Sequence, residues 1–111
     1  MEELIFYVQG SSAEPYKVVF IRRSNANFSA YCSCPAGENG LYCKHRLEIL
    51  DGNKKSVVSS NADDVIIVQS WLSGTDIEKT LHKIRDLEKE STRIKAALSS
   101  AKKELAKSMR D

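Results

Sequence analysis

All three cysteines of the chain and one of its two histidines fall within fourteen residues, CSCPAGENGLYCKH, from Cys32 to His45. No other feature limits the fold as strongly. Cys32 and Cys34 are two apart; on an extended strand their sulfurs leave the same face and can grip one ion. Cys43 and His45 repeat the spacing. On a helix such a pair would diverge by roughly 200° at ~3.6 residues per turn, so at least Cys43 must precede any helix there. The eight-residue spacer PAGENGLY suffices to bring the second pair back over the first. Pro35 stops the strand, and Gly37 and Gly40 permit a reversing loop.

Zinc favours four soft or borderline ligands in a tetrahedron, and Cys32, Cys34, Cys43 and His45 supply them. A redox Cys-x-Cys pair and a catalytic Cys–His dyad are the competing uses. The first leaves Cys43 and His45 unexplained, and the second needs one cysteine and a third group that does not stand out. Iron–sulfur chemistry suits a mixed Cys/His set less well. Four protein ligands leave no open position for water or substrate, so one structural Zn2+ is expected, not a catalytic metal. Lys44 and Arg46 flank the ligands, where positive charge favours thiolate. His82 lies on a long helical segment far from other ligands and reads as a surface residue.

The chain has 111 residues, enough for one domain and an appendage. Its 17 basic and 15 acidic residues give a net charge of +2, which supports polyanion binding only weakly. The opening MEELIFYVQG lacks the basic start of a secretory signal, and no apolar run reaches membrane-spanning length. A soluble, cytoplasmic protein in a reducing compartment is expected, without membrane association. An odd number of cysteines argues against a disulfide framework. A body of about 75 residues is marginal on core burial alone, so the metal would carry part of its stability.

Leu4 to Val8 reads as a strand, as does the β-branched and aromatic run Tyr16 to Ile21. A turn is expected over Ser24–Asn27. Phe28 to Cys34 then alternates, with Phe28, Ala30, Cys32 and Cys34 on one face. A three-stranded antiparallel meander follows. Arg46 to Leu50 suits a short helix ended by Asp51-Gly52. Residues 53–62 read as a loop or a short edge strand. Asp63 to Leu72 is a helix candidate with Val65, Val68, Trp71 and Leu72 as its buried face, but its VIIV run would serve equally as a buried strand. Gly74 ends it.

Thr75-Asp76-Ile77-Glu78 has the form of a capping box, and no Gly or Pro occurs from there to Arg110. A heptad frame with Ile77 at a places Ile77, Thr80, Ile84, Leu87, Ser91, Ile94, Leu98, Ala101, Leu105 and Ser108 at a and d. Seven of these ten are apolar, which predicts a coiled-coil or helical-hairpin seam through Ile77, Ile84, Leu87, Ile94, Leu98 and Leu105. The competing use is packing of its first half on the chain's own domain. The organisation expected is a zinc-stabilised α+β domain over 1–74, followed by a long amphipathic helix over 75–111.

Cys32-Ser-Cys34, the spacer and Cys43-Lys44-His45 resemble the SWIM-type zinc finger position for position. Pro-x-Gly after the first pair and the short helix after the histidine extend the likeness to roughly residues 16–52. The resemblance implies a ββα-like zinc module whose relatives are thought to bind DNA or other proteins. Two functions follow as expectations. One is an accessory protein that binds nucleic acid, DNA first, through Arg22, Arg23, Lys44, Arg46, Lys54 and Lys55, with Tyr31 and Tyr42 to stack. The other is a protein-interaction adaptor or dimeric regulator that makes no nucleic-acid contact. In both the long helix would form a homodimer or dock on a protein partner. No enzymatic constellation and no site for a small-molecule substrate stands out: there is no phosphate-binding glycine loop, and Asp63-Asp64 lie where a helix start wants acids.

Overall fold

A computed structural model describes residues 1–24 and 27–110. Asn25 and Ala26 of the turn expected over 24–27, and Asp111, lie outside the described residues. The fold is α+β. It divides into two units, Met1–Asp76 and Ile77–Asp111.

Three antiparallel strands, β1 (Glu2–Val8), β2 (Tyr16–Arg22) and β3 (Phe28–Cys32), form a meander in the order β1-β2-β3. β1 starts two residues before the expected Leu4 because Glu2 and Glu3 pair with Arg22 and Ile21. The register aligns Phe6, Val18 and Cys32 in one row across the sheet and Leu4, Phe20 and Ala30 in the next. Phe6, Val8, Val18, Phe20, Phe28 and Cys32 are buried, so one sheet face is the core. Phe20 meets Phe6 edge-on at 6.0 Å between ring centres and Phe28 at 6.4 Å. Phe28 in turn meets Trp71 edge-on at 5.9 Å.

The connection expected to be a reversing loop opens instead as one helical turn, α1 (Pro35–Glu38). Pro35 suits this because a helix's first N–H has no partner to lose. The helix expected from Arg46, α2 (Lys44–Leu50), begins two residues earlier. It therefore contains His45, with extended Cys43 (φ −135°, ψ 118°) at its N-cap. Gly52, at φ +81°, ends it in the left-handed conformation. Along residues 53–62, Val57 bridges Val8, Gln9 donates to the Ser56 carbonyl at 2.8 Å and Val58 to the Tyr7 carbonyl at 2.8 Å. This segment covers the outer edge of β1.

The VIIV ambiguity resolves as a helix, shorter than the Asp63–Leu72 candidate. A 3-10 turn (Ala62–Asp64) leads into α3 (Val65–Ser70). Val65 and Val68 are buried while Ile66 and Ile67 are exposed, a spacing of three that a strand cannot produce. α2 packs on α3 and on β3, and Ile49, Leu50, Val68 and Trp71 complete the core. Thr75 is buried, and its hydroxyl donates to the Leu72 carbonyl at 2.6 Å. Directly after it comes α4 (Asp76–Ser108), where the capping signal places a helix start.

Val68→Ala should therefore cost about 2 kcal/mol or more of unfolding free energy, and Ile66→Ala less than about 0.5 kcal/mol. Urea unfolding of the zinc-loaded variants measures both. Equal losses would contradict the helical assignment.

Candidate metal centre

Each ligand is placed by a different local device. Cys32 is the last residue of β3 and points into the core. Ser33 continues the pairing by another route: its hydroxyl accepts from Lys17 N–H at 2.8 Å, and its own N–H donates to the Lys17 carbonyl at 3.0 Å. Cys34 is the N-cap of α1, and its sulfur accepts from Gly37 N–H at 3.2 Å. Cys43 is the N-cap of α2, and His45 lies in its first turn.

The four side chains converge, with their ligand atoms all within 4.8 Å of one another and all four residues buried. Cys34 Sγ lies 3.5 Å from Cys43 Sγ. His45 Nδ1 lies 3.6 Å from Cys43 Sγ and 3.8 Å from Cys32 Sγ. A tetrahedron with Zn–S bonds of ~2.3 Å and a Zn–N bond of ~2.0 Å has S···S edges of ~3.8 Å and S···N edges of ~3.5 Å. The donor set thus fits zinc, with Nδ1 as the imidazole's ligand atom. No cysteine forms a disulfide.

The thiols of Cys32 and Cys43 are shifted in opposite directions. Burial pushes the Cys32 thiol up to about 12. Burial also opposes ionisation of Cys43, but hydrogen bonds from the Arg46 backbone, Cys34, Cys32 and His45 outweigh it and bring that thiol down to about 6. A cation entering the centre must displace the Cys32 proton.

Two glycines are fixed by the site. A Cβ on Gly37 would stand 2.4 Å from the Cys32 carbonyl oxygen, so only glycine lets the α1 turn fold back on β3. A Cβ on Gly10 would stand 2.6 Å from the Tyr16 ring and 3.0 Å from His45 Nε2. Tyr16 packs on the His45 ring at 5.0 Å between centres. Gly10 and Tyr16 thus fix the imidazole's plane, and Nε2 has no hydrogen-bond partner among the described residues. Gly37 carried a signal, the Pro-x-Gly of the motif. Gly10 and Tyr16 carried none, since their role depends on a ring about thirty positions away.

The basic residues expected around the finger divide. Arg22 and Arg23 are at the opposite end of β2 from Val18, the partner of Cys32; at ~3.3 Å per residue Arg22 is ~13 Å away along the strand. Arg22 binds Glu2 at 2.6 Å and lies over the Trp71 ring at 5.1 Å. Arg46 donates to the Ala30 and Leu41 carbonyls at 3.1 and 2.6 Å, strapping β3 to the ligand loop. Lys54 pairs with Asp63, holding that carboxyl below its usual range through a hydrogen bond and charge attraction. Arg23, Lys44 and Lys55 are exposed, as are Tyr31 and Tyr42. Beside the metal ligands a cavity of about 380 Å3 opens between Tyr16, Pro35, Tyr42 and Lys44. The seam residues Ile77, Ile84, Leu87, Ile94, Leu98 and Leu105 all lie on α4.

Residues 16–47 match the family model of the SWIM zinc finger. That segment is a SWIM finger with a site for one structural zinc ion; the rest of the chain is unrecognised. No curated protein and no solved structure matches the chain.

Chelation or Cys43→Ser should abolish stoichiometric zinc binding and unfold the Met1–Asp76 unit, because bound structural zinc contributes roughly 10–16 kcal/mol in small fingers. Metal content and near-ultraviolet circular dichroism report the two effects. A folded, zinc-loaded Cys43→Ser protein would overturn the site. Gly37→Ala should leave all four ligands present yet speed zinc loss to a chelator, as the displaced α1 turn drags Cys34 away.

Proposed function

We propose that the zinc finger is a non-enzymatic module that binds nucleic acid, with DNA as the target. The observation that carries this reading is the presentation of Tyr42 and Lys44, on either side of ligand Cys43. Tyr42 is 66% exposed and Lys44 is exposed too, while the sulfur between them is buried. The metal thus fixes the backbone from which an aromatic ring and a cation project together at the rim of the cavity. A cation meets a phosphate and a tyrosine ring offers a stacking face. Arg46, Arg22 and Lys54 are spent on partners within the chain, so the contact rests on fewer cations than the basic residue count implies. Affinity from one finger should be modest.

The adaptor reading is favoured by a different observation, the exposed apolar stripe of α4. The two readings occupy different units and are compatible. No described helix is long and apolar enough to cross a membrane.

Titration of the zinc-loaded protein with random-sequence duplex and single-stranded DNA across a salt series tests the proposal. Binding should weaken steeply with salt; Lys44→Ala should reduce the slope of log K against log salt by about one. Tyr42→Ala should weaken binding by about 1–3 kcal/mol if its ring stacks on a base. Absence of binding at low salt would sink the nucleic-acid reading and leave Lys44 as charge balance for the thiolates.

A further inference from the structure

α4 runs for 33 residues, and every described residue from Arg85 onward is exposed. Within that stretch Leu87, Ile94, Leu98 and Leu105 are 53–65% exposed and follow the a/d spacing, so they form one apolar stripe along the helix. A continuous stripe of this kind calls for a cover. The charges beside it indicate which cover fits. In the heptad frame Lys83 and Glu90 occupy g, and Glu88 and Lys95 occupy e. All four are exposed and form no ion pair within the described residues of their own chain.

We infer that the stripe from Leu87 to Leu105 is a dimerisation seam that seats a second copy of this chain, parallel and in register. In that alignment each g residue faces the e residue of the next heptad in the other copy. Lys83 meets Glu88 of the second copy, and Glu90 meets Lys95 of the second copy. The twofold axis repeats both pairs. The remaining g residues, Ala97 and Glu104, face Lys102 and Met109 of the second copy, and no like charges meet.

The core layers favour the same orientation. Parallel and in register, Leu87, Ile94, Leu98 and Leu105 each pack on their own counterpart. Ser91 meets Ser91 of the second copy, where the two hydroxyls can hydrogen-bond each other. Small Ala101 meets small Ala101 of the second copy. An antiparallel pairing that opposes residue 91 to residue 94 also matches charges, Lys83 with Glu104 and Glu88 with Lys95. It sets Ser91 against Ile94 and Leu105 against Thr80, so hydroxyls face large apolar side chains. The layers therefore decide an orientation that the charges alone leave undecided. The inference does not depend on whether the finger binds DNA.

Sedimentation equilibrium of the full zinc-loaded chain, with disulfide trapping, tests it. The protein should be a concentration-dependent dimer, and Leu98→Lys should make it monomeric while the zinc content and the near-ultraviolet spectrum of the finger stay unchanged. In the zinc-loaded protein, mild oxidation should link Ala101→Cys into a covalent dimer and leave Ser100→Cys, on the outer face at c, at least tenfold less linked. A strict monomer at about 100 μM, where any pairing tighter than that Kd would show, would overturn the inference and turn the stripe toward a different protein. A dimer in which Ala101→Cys fails to link would overturn the parallel register, since antiparallel pairing places the two 101 positions ~25 Å apart along the axis at ~1.5 Å per residue. A dimer that persists in Leu98→Lys would place the interface elsewhere and overturn it too.

Discussion

Four ligand atoms buried within 4.8 Å of one another make a costly cluster unless a cation neutralises it. That constraint organises the Met1–Asp76 unit. The ligands are terminal residues of three elements: the end of β3, the cap of α1, and the cap and first turn of α2. A shared metal makes those ends mutually dependent, so none can fray alone. The N–H···S bond from Gly37 to Cys34 shows how the same sulfur serves the helix and the ion.

The opposite end of the sheet is closed by other means. There Arg22 binds Glu2 across the strands and lies on Trp71, which meets Phe28 edge-on. Between the two ends the row of Phe6, Val18 and Cys32 links the apolar core directly to the metal ligands. Loss of the metal would therefore disturb a core residue, not only a surface loop. Arg46 adds a third tie by bonding carbonyls of β3 and of the ligand loop, so a residue that looks like a surface cation is part of the frame.

The parts of this arrangement that were legible in the sequence are those whose physics is local. Ligand type and i, i+2 spacing sufficed for the tetrad, β-branched alternation for the strands, and a long stretch without Gly or Pro for α4. The rest depends on partners distant in the chain. PAGE carries a helix-start proline beside a helix-breaking glycine, and the contact of Gly37 with the Cys32 carbonyl decides between them. VIIV satisfies both periodicities until the packing of α2 on α3 selects which two side chains turn inward. The basic residues misled most, because nothing in their order reveals that Arg46 reaches Ala30, sixteen positions back, or that Lys54 meets Asp63.

The charge distribution joins the two proposals. Residues 1–75 hold seven basic and eight acidic side chains, so a single finger meets a polyanion with no net attraction and must rely on the local placement of Lys44 and Tyr42. Residues 76–111 hold ten basic and seven acidic side chains. A parallel seam would join two fingers in one assembly and bring in the basic excess of both helices. In such an assembly, binding of one finger would raise the effective concentration of the second at the DNA. If both proposals hold, modest contact from each finger and a charge-matched seam between two chains would act together in binding.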